Sequence, residues 1–178
     1  MTGRLILETP RLVLREFLPT DAPFFYEMNL DPEVIRYTGD RPFTSTAEAE
    51  DFIRAYDQYK VNGYGRWSVM EKITGNYLGF CGLKFHPDTH ETDLGYRLMR
   101  RYWGHGMATE ASRACLAYGF KELGLTSIVG RVRQDNSASI RVLEKNGMRF
   151  WRHFDFEGHP GLIYRLTAEE WKLLNPDG

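Results

Sequence analysis

The segment Arg101-Tyr102-Trp103-Gly104-His105-Gly106-Met107-Ala108 puts two glycines where a strand-like run gives way to a long amphipathic helix. The chemistry this spacing allows is anion binding. The first N–H groups of a helix lack intrahelical acceptors and sit at its positive dipole end, and glycine lets that backbone meet a phosphate with no Cβ between them. Two other phosphate loops do not fit. The Walker loop ends in Gly-Lys-Ser/Thr, and the dinucleotide fingerprint needs a small residue three after its second glycine. Here Met107 and Ala108 follow Gly106, and Thr109 stands in the third place. Upstream, residues 92–99 read as a strand whose inner Gly95 implies a bulge or a close backbone approach. Downstream, residues 135–148 hold a second helix, opened by Asn136 and closed by Gly147.

The elements that must position these residues follow one another without long linkers, repeats or low complexity. Residues 12–17 alternate as a first strand, and Pro19 and Asp21 start a helix running to about Asn29. A short helix follows Asp31-Pro32. Ser45-x-x-Glu48 spells a capping box ahead of a helix that carries Phe52, Ile53 and Tyr56 and stops at Gly63. Strands at 65–72, 77–85 and 91–99 are separated by Thr74-Gly75-Asn76 and Pro87-Asp88, which predicts antiparallel hairpins. The glycine pair opens a helix over about 106–123 with Met107, Ala111, Ala114, Cys115 and Tyr118 on its apolar face. The strand at 127–132 is reached through that helix, so it pairs in parallel by a right-handed crossover. A helix at 136–146 and strands near 148–156 and 161–166 complete the chain.

At 178 residues the chain has the length of one domain, 1–178, able to bury a substantial core. The formal net charge is −1 and the 23 Lys and Arg residues are scattered, so neither nucleic acid nor a membrane surface is an expected partner. No leader pattern and no apolar run of roughly 20 residues is present, which predicts a cytoplasmic protein. Cys81 and Cys115 fall in a predicted strand and a predicted helix, and are read as buried free thiols. His86, His90, His105, His153 and His159 show no ligand spacing, so no metal is expected.

Strand, Arg-x-x-Gly-x-Gly-x-Ala, helix, strand, Asn-x-x-Ser, helix and glycine, in that order, resemble the GNAT superfamily of acyl-CoA N-acyltransferases. Leu7-Glu8-Thr9-Pro10-Arg11-Leu12-Val13-Leu14-Arg15, Asp31-Pro32-Glu33-Val34 and Tyr164-Arg165-Leu166-Thr167-Ala168-Glu169-Glu170-Trp171 resemble its ribosomal-protein N-acetyltransferase (RimJ/RimL-like) branch. The resemblance implies an α/β (α+β) fold, with a mixed central sheet, antiparallel in its N-terminal part, and helices on both faces. It implies acetyl-CoA as co-substrate. The pantetheine arm would pair with the backbone of Arg97, Leu98 and Met99. The pyrophosphate would meet the amides of Trp103, Gly104, His105, Gly106, Met107 and Ala108, with Arg101 as the motif's arginine. Asn136 matches the asparagine that touches pantetheine, and Lys145 a position near the CoA phosphates.

An amine attacking a thioester must lose a proton, and the departing thiolate is helped by a proton donor. Many relatives carry that donor as a tyrosine at the position of Leu143, so the role passes to Ser139. Asp93, with Glu91 or water as the substitute, is the candidate base. Duller readings stand beside these: Asn136 and Ser139 also fit helix capping, Arg101 a surface charge, Lys145 a helix-dipole partner, and Trp103 a core aromatic. The expected activity is direct acetyl transfer from acetyl-CoA to a primary amine, such as a protein N-terminus, by a monomer or homodimer. The alternatives are a polyamine, amino acid or antibiotic as acceptor, or a catalytically silent acyl-CoA-binding module, which Leu143 favours. Acceptor contacts are expected near residues 30–45 and 150–162.

Overall fold

In the computed structural model, which describes residues 3–178, eight strands form a single sheet. The hairpin chemistry of the first half gives β1 (Leu5–Glu8), β2 (Leu12–Arg15), β3 (Arg66–Glu71), β4 (Tyr77–His86) and β5 (Glu91–Leu98), each antiparallel to the next. The second half adds β6 (Ser127–Arg133), β7 (Arg149–Phe156) and β8 (His159–Thr167), in the order β1-β2-β3-β4-β5-β6-β8-β7. The crossover predicted between the halves is present: β5 and β6 are parallel. Their register is confined to Asp93 opposite Val129, whereas β4 and β5 stay in register from Gly79–Leu98 to His86–Glu91. Beyond Asp93 the end of β5 therefore runs on without a ladder partner on that side.

Helices cover both faces, as expected. One face carries α1 (Ala22–Leu30), α2 (Pro32–Ile35) and α3 (Thr46–Arg54), while Tyr59 of the short α4 (Gln58–Asn62) packs against the core of the other face. Phe25 and Met28 of α1 and Ile53 of α3 pack there with Tyr77 and Met99. The other face carries α5 (Met107–Lys121), α6 (Ser137–Lys145) and α7 (Ala168–Leu174). Met107, Ala111 and Cys115 of α5 meet Leu83, Leu94 and Ile128 there. Leu83 and Ile128 are fully buried, each worth about 1.5–3 kcal/mol. Cys81 and Cys115 are free and buried, with sulfurs 3.7 Å apart.

Four local expectations change. The helix predicted from Ser45 to Gly63 breaks between α3 and α4. The break brings Tyr56 and Tyr59 to the start of β3, where the Arg66 amide donates to Tyr56 Oη (2.7 Å) and the Tyr59 hydroxyl to the Arg66 carbonyl. Only half of the capping box forms: Ser45 Oγ accepts the Glu48 amide (3.1 Å), but the Glu48 carboxylate turns to Thr44 and Arg41. Gly95 sits in unbroken register with Gly82, with no bulge; a Cβ there would come within 2.4 Å of Arg66 Nη2, so the missing side chain makes room for a guanidinium. Finally, β1 and α7 extend the expected elements. α7 has a full capping box between Thr167 and Glu170, a spelling present in the sequence.

Candidate active site

The mouth of α5 is built as a cradle. Gly104 and Gly106 both take left-handed backbone (φ +76°), and Gly106 is the N-cap of α5. A side chain would strain either position. A Cβ on Gly104 would meet no protein atom within 4 Å, so the loop faces open space there. The amides of Gly104, His105 and Gly106 have no acceptor among the described residues, while the Trp103 amide donates to the Arg100 carbonyl (3.0 Å). The expected row of free amides thus starts at Gly104 and continues into α5 at Met107 and Ala108. From behind, the β1–β2 turn holds this loop in place. Arg11 Nη1 donates to the His105 carbonyl (2.9 Å), its Nε to Glu110 (2.6 Å), and Thr9 Oγ1 to the same carboxylate (2.6 Å). Burial works against ionisation of Glu110, yet these donors hold its carboxyl below the usual range. Arg11 also neutralises the one acidic side chain in the first turn of α5.

The unpaired end of β5 leads to this mouth. The Met99 amide donates back to Leu78 (2.9 Å), and the Leu98 carbonyl accepts the Trp103 indole Nε1–H (2.8 Å), so the pantetheine pairing expected at Leu98 and Met99 loses these two groups to bonds within the chain. Trp103 thereby ties the loop to the strand, a contact the sequence did not disclose. β6 ends at Arg133 on the same side, and α6 begins just beyond it. Asn136 is the N-cap of α6: its Oδ1 accepts the Ser139 amide (3.3 Å), and its Nδ2 donates to Ser139 Oγ (3.1 Å). The capping reading of this pair is therefore correct, and it fixes the serine hydroxyl at the start of α6. Tyr96 of β5 lies 2.9 Å from that hydroxyl, oxygen to oxygen. Leu143 is buried against β6 at Gly130. Lys145 is exposed at the end of α6, with no ion pair among the described residues.

The opposite face of β5 is a lattice of charges. Arg97 turns to the α1 side, donating from Nη1 to Asn29 Oδ1 (2.8 Å) and from Nη2 to Asp40 Oδ2 (2.5 Å), with its guanidinium over the Phe80 ring. Its backbone stays at the end of β5; its side chain is committed to the loop after α2. Arg101 likewise pairs with Glu27 of α1 (2.5 Å) and turns away from the cradle. Asp93 is 7% exposed. Arg66 Nη2 donates to its Oδ1 (2.9 Å), Arg66 Nη1 to its carbonyl (2.9 Å), and His86 Nε2 lies 3.1 Å from Oδ1. Burial raises the pKa of Asp93, but Arg66, His86 and Arg131 overcome this and hold it at about 2. Such a carboxylate is a weak proton acceptor at neutral pH, which counts against the direct-base role expected of it. Glu91 is engaged as well, bridging Arg131 (2.6 Å) and Arg152 across β5, β6 and β7.

Between the loop after α2 and the β7–β8 turn lies a cavity of about 240 Å³, lined by Arg36, Asp40, Arg133, Phe156, Glu157 and His159. It joins the two segments expected to contact an acceptor. The Glu157 carboxylate packs against Gly39, where a Cβ would come within 1.8 Å of Oε2. A larger cavity of about 430 Å³ sits between α1 and residues 99–101. Its charges are spent on one another, Arg101 on Glu27 and Arg100 on Asp31 (2.9 Å). Among the described residues, no group of three or more His, Cys, Asp or Glu is placed to hold a metal, and no helix is long and apolar enough to cross a membrane.

Comparison with known proteins agrees with this arrangement. The acetyltransferase (GNAT) domain family matches residues 11–149. The chain is 34% identical to the uncharacterized N-acetyltransferase p20 of Bacillus licheniformis over 139 residues, covering 77% of this chain and 78% of that one. It is 29% identical to the FsC-acetyl coenzyme A-N(2)-transacetylase of Aspergillus fumigatus, over 93% of this chain and 77% of that one. The crystal structure of a GNAT-family acetyltransferase from Bacillus anthracis superposes with a TM-score of 0.80 at 26% identity, over 93% of this chain and 99% of that one. With the glycine cradle at the mouth of α5 beside the unpaired end of β5, these matches show that the chain belongs to the GNAT acetyltransferase family and is an acetyl-CoA-dependent N-acetyltransferase.

Proposed function

We propose that the chain transfers the acetyl group of acetyl-CoA directly to a primary amine that enters the cavity between Asp40 and Glu157. The observation that carries this reading is the pairing of two features across the sheet. A cradle of free amides and the Ser139 hydroxyl serve one face, and a carboxylate-bearing cavity opens on the other. The thioester supplies the activated acetyl group when bound. The amides of residues 104–108 hold the pyrophosphate, the end of β5 pairs with pantetheine beside Asn136, and Lys145 meets the outer phosphates.

On the acceptor side the Glu157 carboxylate, with no ion pair among the described residues, attracts the ammonium form of the amine. The cavity, smaller than a typical drug-sized site, suits a slender aliphatic amine or the first residue of a polypeptide. Both Asp93 and Glu91 are held by arginines, so we assign the proton of the attacking amine to solvent water. Asp93 acts on the reaction by holding Arg66 and the β5 backbone. Ser139 protonates the leaving sulfur. Neither Cys81 nor Cys115, buried in the core, takes part in a covalent intermediate.

The test is thiol release from acetyl-CoA in the presence of simple alkylamines, polyamines, amino acids and short peptides. Turnover with a primary amine, and none with its N-acetylated form, is the expected result. Tight CoA binding with no turnover on any acceptor would make the chain a silent acyl-CoA-binding module instead.

A further inference from the structure

Ser139 Oγ has two hydrogen-bond neighbours among the described residues. The Ser139 amide donates to Asn136 Oδ1 (3.3 Å), which fixes the orientation of the Asn136 amide group and leaves Nδ2, a group that can only donate, 3.1 Å from Ser139 Oγ. The second neighbour of Oγ is the Tyr96 hydroxyl at 2.9 Å. Tyr96 is partly buried and has no other acceptor for its hydroxyl hydrogen among the described residues. Ser139 is the partner the Tyr96 hydroxyl has within hydrogen-bond distance, and either oxygen is able to donate. When Tyr96 donates, Ser139 Oγ receives two hydrogen bonds and its own hydrogen points elsewhere.

We propose that Tyr96 is a positioning residue for acetyl transfer: by donating to Ser139 together with Asn136, it directs the serine hydrogen to the leaving sulfur and makes the serine a stronger acid. The proposal rests on the reading of Ser139 as the proton donor. The chemistry balances as follows. As the new C–N bond forms and the amine nitrogen gives up a proton to solvent water, the electron pair of the C–S bond passes to sulfur, and sulfur takes the Ser139 hydrogen as a proton. The negative charge left on Ser139 Oγ faces two donors, which stabilise it. Solvent then returns a proton to the serine. Tyr96 and Ser139 are 43 positions apart, on β5 and α6. The hydroxyl missing at Leu143 is replaced by one reaching Ser139 from the neighbouring strand.

The experiment compares Tyr96→Phe, Ser139→Ala and the double variant with acetyl-CoA and with an acetyl thioester of an aromatic thiol, whose thiolate leaves without a proton. Each rate is taken relative to the parent protein after subtraction of the uncatalysed reaction, with CoA affinity measured calorimetrically. Tyr96→Phe should lower kcat with acetyl-CoA by about 10- to 100-fold, within reach of a general-acid contribution, and leave CoA affinity unchanged. The loss should shrink to about 3-fold or less with the aromatic thioester, because proton donation is no longer needed there. In the Ser139→Ala background the tyrosine change should add almost nothing. An equal loss with both thioesters, or a full multiplicative loss in the double variant, would overturn the role of Tyr96. If Ser139→Ala itself keeps full activity with acetyl-CoA, the reading of Ser139 fails and the Tyr96 proposal falls with it. An impaired Ser139→Ala beside a fully active Tyr96→Phe removes Tyr96 alone.

Discussion

The two faces of β5 are built from different materials. Toward α5 and α6 the functional surface is backbone: unpaired amides, left-handed glycines and a serine hydroxyl fixed by a helix cap. Toward α1 and the β7–β8 turn it is side chain, with Arg66 on Asp93, Arg97 on Asn29 and Asp40, and Glu91 between Arg131 and Arg152. A backbone cradle binds an invariant phosphate group whatever side chains surround it. An interlocked set of charges shapes a cavity that any single replacement alters. The contrast predicts that substitutions in the glycine cradle act on cofactor affinity, those at the Ser139 hydroxyl on turnover, and those on the charged face on folding or on the amine.

The largest effect should follow from Asp93→Asn. Removing one partner of a buried pair leaves Arg66 without its counter-charge and costs about 3–5 kcal/mol. In denaturant titration the variant should lose that much stability while CoA still binds its folded fraction. An unchanged midpoint would mean the charge lattice is ornamental. The same pair dictates an acid limit. Because the pKa of Asp93 lies near 2 in the folded chain, below the ordinary value of about 3.9, its stabilisation is present above pH 4 and lost as pH falls toward 2. The size is of the order of 2 kcal/mol. Asp93→Asn should flatten that part of the stability–pH curve, and a curve of the parent's shape would assign the acid loss to other carboxylates.

On the other face the expected loss is smaller and confined to one ligand. Gly106→Val forces a branched side chain onto left-handed backbone at the N-cap of α5 and should weaken CoA binding about 10-fold or more, some 1.4 kcal/mol. Calorimetry on a folded variant with parental affinity would contradict the cradle. Smallest of the three is Glu157→Gln: an exposed carboxylate contributes about 1 kcal/mol or less to holding an ammonium. The KM for the amine should rise about 5-fold at most, with CoA affinity unchanged. A change in CoA affinity instead would place Glu157 on the wrong side of the sheet.

The same contrast explains what the sequence disclosed. Gly104 and Gly106 are informative because few other residues accept their backbone, and the Asn136 cap because its signal is local. The order of strands and helices follows from turn residues and periodicity. Contacts that depend on tertiary register were hidden. Nothing near Tyr96 announces Ser139, nothing near Arg66 announces Asp93, and Arg97, at the end of β5, sends its side chain to the opposite face. Asp93 and Glu91 looked like bases because sequence shows a carboxylate and omits the arginines folded against it. β1, four residues long, is too short for alternation to stand out, whereas α7 carried a legible capping box at Thr167 and Glu170.

The central claim is that the two faces hold the acetyl donor and the amine at the same time. Initial rates measured over a matrix of acetyl-CoA and amine concentrations test it most directly. Intersecting double-reciprocal lines, with no acetyl group on the protein by intact mass after incubation with acetyl-CoA alone, are the predicted result. Parallel lines with an acetylated protein would contradict it, because the acetyl group would then pass through the enzyme before the amine arrives.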